Sequence, residues 1–272
     1  MNRVRAKKNL GQHFLTDMTI ARRIADTVDA CPDLPLLEVG PGMGALTQFL
    51  LVKNRPLNVV ELDQESIAYL RSAFPPLRDR IIEGDFLKMD LRALHQGRPF
   101  VLTGNYPYNI SSQIFFKMLD NRDLIPCCTG MIQKEVAERL ASGPGNKAYG
   151  ILSVLLQAWY DVEYLFTVPE TVFSPPPKVK SAVIRFTRNQ VQDLGCDETL
   201  FKRLVKMVFN QRRKMMRSSI RPLLSQLDAE RKCQGRDHTP FLQSSVMTCR
   251  PEQLSVQDFI QLTLQVSAEY GE

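Results

Sequence analysis

Organised cysteine is missing from this chain. The six cysteines, Cys31, Cys127, Cys128, Cys196, Cys233 and Cys249, form no CxxC pair and have no histidine at metal-ligand spacing. That scatter argues against a zinc site or a disulfide framework and predicts reduced thiols and no metal. Long apolar runs are missing too: none approaches the roughly 18 residues of a membrane span. The opening MNRVRAKKNL lacks the apolar core of a signal peptide. A cytoplasmic protein without a membrane partner is therefore expected. Internal repeats and low-complexity tracts are absent as well. What is present is 272 residues with 44% hydrophobic content, enough for one large domain and one small one.

The net charge of +6 is unevenly placed. Between residues 201 and 236 eleven lysines and arginines stand against two acids, Asp228 and Glu230, a local excess of nine that leaves the rest of the chain slightly acidic. A basic patch of this kind predicts a polyanionic partner. Nucleic acid comes ahead of a membrane surface because no strongly amphipathic anchor accompanies the charge. Arg212, Arg213, Lys214, Arg217 and Arg221 are the candidate RNA-binding residues within it. The plain alternative is a solvated helical face.

From Leu36 to about Phe186, short apolar runs alternate with helical patterns: LLEVG then ALTQFLLVK, NVVELD then QESIAYLRSAF, RIIEGD, FVLTGN then SSQIFFKML, CCTGMIQ then EVAERLA. This predicts an α/β fold with a mostly parallel sheet covered by helices, whose ligands bind at the carboxyl ends of the strands. DVEYLFTV and SAVIRF, with no helix-length segment between them, are expected to pair as an antiparallel edge. The intervening VFSPPPKVK has three consecutive prolines, which predicts a stiff loop without regular structure. Beyond about Asn189 only helical patterns remain. The expected division is residues 1–188 as the sheet domain and 189–272 as a small, basic, all-helical domain.

Four strand ends carry candidate chemistry. Glu38-Val-Gly40-Pro-Gly42-Met-Gly44 leaves the first strand, and its glycines allow a sharp turn and close backbone approach by a ligand. It is not a phosphate-binding P-loop, because no GK[ST] follows. About 20 residues on, Glu61 stands where a carboxylate accepts hydrogen bonds from ribose hydroxyls. Asp85, in EGDF, can accept from an adenine amino group. Either acid alone is most often a cap or a surface charge, but three successive strand ends together outline a nucleoside pocket. At the fourth comes TGNYPYNISS, with Asn105, Pro107 and Tyr108.

In that order, EVGPGMG, ELD, GDF and NYPY resemble the motif series of class I S-adenosylmethionine-dependent methyltransferases, whose fold is Rossmann-like. The NYPY tetrad resembles the active site of those that methylate an exocyclic amino group. By that resemblance the Asn105 side-chain oxygen and the Pro107 carbonyl hold the adenine N6, and Tyr108 stacks on the flipped-out base. KKNLGQHFLTD resembles the N-terminal lid of the ribosomal RNA adenine dimethyltransferases. This implies that His13 and Leu15 contact S-adenosylmethionine together with Gly40, Gly42, Glu61, Asp85 and Asn105; many members carry asparagine where His13 stands. VFSPPPKVKSAV resembles a later loop of the family, which implies that Phe173 stacks on the opposite face of the adenine from Tyr108. Tyr106 replaces a usual leucine, so exchanging it for leucine is expected to be nearly silent.

The resemblance spans essentially the whole chain and is strongest to the KsgA type, which dimethylates two adjacent adenosines near the 3′ end of 16S rRNA in the 30S subunit. It implies a monomer that docks on folded RNA through its helical domain. Four other readings stand beside it: a large-subunit (23S) rRNA methylase of the macrolide-resistance type, which shares the four motifs; a DNA adenine methyltransferase, for which a target-recognition segment is lacking; a protein-glutamine methyltransferase, which leaves the basic domain unexplained; and a ribosome-assembly or transcription factor that acts mainly by binding.

Overall fold

The computed structural model describes residues 7, 12–233 and 235–270. It divides into two compact units, one formed by residues 1–138 and 160–189, the other by residues 139–159 and 190–272. Residues 139–159, expected with the sheet, thus lie in the helical unit.

The first unit is built on strands β1 (Phe14–Leu15), β2 (Leu36–Val39), β3 (Leu57–Glu61), β4 (Ile81–Glu83), β5 (Val101–Asn105), β6 (Cys127–Gln133), β7 (Tyr160–Val168), β8 (Phe173–Ser174) and β9 (Ser181–Arg188). Seven of them form one sheet in the order β4-β3-β2-β5-β6-β9-β7. The first five are mutually parallel, with Leu36 beside Leu57 and Val101. β9 inserts antiparallel between β6 and β7, as two runs without a crossover helix must. All four residues of β2 are buried, the mark of a strand covered on both faces.

The helices of this unit are α1 (Met18–Ala25), α2 (Thr47–Leu50), α3 (Gln64–Ala73), α4 (Leu91–Leu94) and α5 (Ser111–Asp120), with α6 (Lys134–Ala141) crossing the boundary between the units. Asp17 caps α1 by accepting the Thr19 and Ile20 N–H groups at 2.9 and 3.2 Å, which fixes where the chain turns from β1 into the helix. α2 is one turn long, shorter than ALTQFLLVK suggested.

Two local expectations are corrected. VFSPPPKVK is not wholly irregular: Phe173 and Ser174, just ahead of the prolines, pair antiparallel with Leu15 and Phe14. And not every thiol is free, because Cys31 and Cys127 form a disulfide with Cα atoms 5.8 Å apart. They lie 96 residues apart in sequence, and only the packing of the turn after α1 against β6 brings them together.

The second unit contains α7 (Ile151–Gln157), α8 (Glu198–Phe209), α9 (Met216–Ser219), α10 (Arg221–Glu230), α11 (Thr239–Leu242) and α12 (Val256–Glu269). α8 buries Leu200, Phe201, Leu204, Val205, Val208 and Phe209, a spacing of three and four that puts them on one stripe. Phe209 meets Tyr149 and Phe259 at ring distances of 6.3 and 5.9 Å. Among the described residues no helix is long and apolar enough to cross a membrane, and no cluster of histidine, cysteine or acidic residues could hold a metal ion.

Candidate functional site

The carboxyl ends of β2, β3, β4 and β5 open into one cavity of about 710 Å³ within the first unit. Its wall includes His13, Leu15, Gly40, Gly42, Glu61, Asp85, Asn105, Pro107 and Tyr108. Of the candidates in the sheet domain, only Phe173 is elsewhere. It is 4% exposed and packs in the hydrophobic core, while its neighbours Ser174 and Pro175 reach the cavity. The reason is its strand pairing: facing Leu15 in the two-residue ladder, Phe173 is drawn into the core that Leu15 also joins.

At the end of β2 the chain turns through Gly40 and Gly42, with φ of 68° and 54°. A Cβ on Gly42 would lie 3.1 Å from the Phe14 ring, so both conformation and space call for glycine here. The Gly42 N–H donates to Glu61 Oε2 (3.0 Å), and the Leu62 and Asp63 N–H groups donate to Glu61 Oε1 (2.9 Å each). Glu61 is buried; burial pushes its carboxyl above the usual range, and the three N–H groups offset part of that rise. A carboxylate has about four lone-pair sites, so Glu61 is oriented by the protein with acceptor capacity left for a ligand.

Glu38, which was quoted in the glycine motif but not singled out, is 1% exposed and lines the cavity. Thr47 Oγ1 donates to its Oε2 at 2.7 Å. Burial pushes its carboxyl up to about 8, only partly opposed by Thr47 and assisted by the nearby Glu61 charge. Asp85 accepts the Leu87 N–H (3.0 Å), capping the short turn that follows β4. The cap weighed from sequence is present, and the residue also lines the cavity.

β5 delivers Asn105. Its Nδ2 donates to the His13 carbonyl at 3.3 Å, and Oδ1 has no hydrogen-bond partner among the described residues. The Pro107 carbonyl accepts the Ile110 N–H at 3.2 Å, leaving one lone pair for a ligand. The Tyr108 hydroxyl is hydrogen-bonded to Ser181 Oγ, which fixes the ring, and burial holds its ionisation above the ordinary value. His13 stacks on Tyr108 with centroids 5.6 Å apart and 27° between planes. Its Nδ1 donates to the Pro175 carbonyl (2.9 Å), which fixes the ring against the segment after β8.

Tyr106 lies behind these residues, 1% exposed. Its hydroxyl donates to the Thr129 carbonyl (3.3 Å), lies 3.1 Å from Cys128 Sγ, and the ring packs edge-on against Phe115. Ser181 also escaped the sequence reading, whereas Gln12 stands in the GQHFL stretch of the lid segment. Ser181 stands in the PPPKVKSAV segment, but nothing local signals its partnership with Tyr108.

The fit to an adenosine-containing cofactor follows from this donor set. Gly40 and Gly42 leave the backbone bare at the end of β2, Glu61 is an aimed acceptor, and Asp85 is a second acid at the next strand end.

In the second unit the five basic candidates separate. Arg213, Lys214, Arg217 and Arg221 are exposed. Arg212 is half-buried: it donates to the Lys147 carbonyl and lies 3.8 Å from Glu252, whose own carbonyl accepts the Gly145 N–H at 2.7 Å. Arg212 therefore ties the loop around residues 145–147 to the helices of its unit.

Comparison with known proteins agrees with this geometry. The family model described as ribosomal RNA adenine dimethylase matches residues 3–243. A protein of Bacteroides fragilis named ribosomal RNA small subunit methyltransferase A is 68% identical over 266 residues, covering 98% of this chain and 94% of its own. Among solved structures, a dimethyladenosine transferase from Plasmodium falciparum superposes with a TM-score of 0.79 at 25% identity, covering 94% of this chain and 98% of that one. The 23S rRNA methyltransferase ErmE superposes with a TM-score of 0.63 at 25% identity, covering 93% and 100%.

Proposed function

The chain belongs to the ribosomal RNA adenine dimethylase family, and from that membership and the cavity we propose that it dimethylates the N6 of two adjacent adenosines near the 3′ end of 16S rRNA, acting as a monomer on the 30S particle. The observation that carries the proposal is Asn105-Tyr106-Pro107-Tyr108 at the end of β5, opening into the same cavity as Gly40, Gly42, Glu61 and Asp85.

S-adenosylmethionine supplies an electrophilic methyl group. Glu61 would accept the ribose hydroxyls, Asp85 the adenine amino group of the cofactor, and Gly40 and Gly42 would let the backbone approach. The target amine is a poor nucleophile because its lone pair is delocalised into the base. Asn105 Oδ1, kept free because Nδ2 is spent on His13, and the main-chain carbonyl of Pro107 would hold it in a more tetrahedral form. The Tyr108 ring, fixed through Ser181, would support the base by stacking. With these acceptors in place no strong base is required, since the methylated amine is acidic enough to lose its proton to water. Arg213, Lys214, Arg217 and Arg221 would contact phosphates and position the enzyme on folded RNA.

The small-subunit substrate is favoured over 23S rRNA by the name and 68% identity of the relative over nearly the full chain. Purified protein and labelled S-adenosylmethionine should place label in N6,N6-dimethyladenosine of under-methylated 30S particles and not in free 23S rRNA. Label confined to 23S rRNA would reverse the choice, and none in either would defeat the proposal.

A further inference from the structure

One charged cluster beside the cavity has no part in the function just described. Asp63, the residue that caps α3, has a side chain only 2% exposed. It accepts Ser66 Oγ (3.0 Å), Gln12 Nε2 (3.4 Å) and Lys7 Nζ (2.5 Å). Lys7 also reaches Glu65 at 3.1 Å. Among the described residues Lys7 is the one cation within 4 Å of the Asp63 carboxylate. Burial by itself would push that carboxyl up, but the bonds from Lys7, Ser66 and Gln12 outweigh it and hold it below the usual range.

The cluster has two exits, both toward the cofactor cavity. The Asp63 N–H donates to Glu61 Oε1, so Asp63 stands directly behind the carboxylate assigned to the ribose. Lys7 and Gln12 grip each other, the Lys7 N–H donating to Gln12 Oε1 (2.9 Å) and the Gln12 N–H to the Lys7 carbonyl (3.4 Å). Gln12 lines the cavity, and next to it is His13, whose carbonyl orients Asn105.

We infer that Lys7 is a positioning residue for the cofactor site: by supplying the counter-charge of buried Asp63, it holds Gln12 and the cavity wall that follows against the loop that orients Glu61. An exposed lysine–carboxylate pair contributes little. Removing the cation of a buried carboxylate is different, because the remaining partners here are neutral donors and the charge is left uncompensated. The structure relieves that by withdrawing Asp63 or releasing Gln12, and either motion loosens the cavity on the ribose side. Lys7 touches no reacting atom, so its loss weakens cofactor binding and leaves the chemical step alone.

The inference rests on the cofactor assignment of the cavity and not on which RNA is methylated, and calorimetric titration of the full chain with S-adenosylhomocysteine tests it. Lys7→Met should raise Kd about tenfold, Lys7→Arg should restore it to within about twofold, and the melting temperature without ligand should stay within a few degrees. In turnover, KM for S-adenosylmethionine should rise while kcat at saturation is unchanged. Asp63→Asn, which keeps the side-chain shape, should make Lys7→Met nearly neutral. An unchanged Kd in Lys7→Met, or a loss confined to kcat or melting temperature, overturns the inference. Wild-type protein that fails to bind S-adenosylhomocysteine overturns the cofactor assignment instead.

Discussion

At the scale of single residues, side chains are aimed by spending one end on the protein. Asn105 donates to His13 and keeps its oxygen; Glu61 accepts three N–H groups and keeps a lone pair; Tyr108 commits its hydroxyl to Ser181 and one face to His13 and keeps the other face. Asn105→Ala removes an acceptor placed before the reaction begins, and kcat should fall by roughly two to three orders of magnitude. Affinity for 30S particles should persist in a filter-binding assay; if methyl transfer persists as well, the acceptor role is wrong. Glu38 gives a pH-dependent prediction. Its folded-state pKa of about 8 lies above the ordinary value of 4.5, so the folded form binds the proton more tightly than the unfolded form. The stability this confers is complete below 4.5 and is lost as pH rises toward 8, a change on the order of a few kcal/mol. Glu38→Gln carries no titrating proton, so its melting temperature should gain on that of wild type between pH 5 and 8. Parallel curves would refute the assignment.

At the scale of elements, the parallel strands were legible because short apolar runs alternate with helical patterns and β2, β3 and β4 run into a glycine or an acid, and the antiparallel β7 and β9 because no helix fits between them. What stayed hidden were pairings between distant short segments: β1 with β8, which draws Phe173 into the core, and Cys31 with Cys127. No period or composition in either partner announces the other. Tyr106 shows the same limit. Its exchange for leucine was expected to be silent, yet the ring fills space opened by two facing glycines of β5 and β6. A Cβ on Gly130 would lie 2.3 Å from the Gly104 carbonyl oxygen and 2.6 Å from the Tyr106 ring. Tyr106→Leu should therefore cost about 2–3 kcal/mol through a lost hydrogen bond and a cavity, while kcat of the folded enzyme changes little. Gly130→Ala meets backbone that cannot yield and should cost about 3 kcal/mol or more. Urea unfolding midpoints measure both, and a tolerated alanine at 130 would show that β5 and β6 can separate.

At the scale of the whole molecule, the chain does not respect in sequence its division into two units. Residues 139–159 leave the sheet unit and return to it, and α7 packs with α8 and α12 in the helical unit. An apolar helix carries no label for the core it will join, so this excursion could not be read from composition, whereas the concentration of charge at 201–236 could. The charge itself is of two kinds. Arg212 holds its own unit together through Lys147 and Glu252, and Arg212→Ala should lower the melting temperature. Arg213, Lys214, Arg217 and Arg221 are exposed, and on docking to RNA each that neutralises a phosphate releases a condensed counterion. Replacing these four with alanine should weaken 30S binding at 100 mM salt by more than tenfold and flatten the dependence of log K on log salt by up to about 3.6, at roughly 0.7–0.9 per contact. S-adenosylhomocysteine affinity belongs to the other unit and should not move. A salt slope that survives all four substitutions would place the RNA surface elsewhere, whereas a loss of cofactor affinity would mean that the helical unit shapes the cavity as well as the docking.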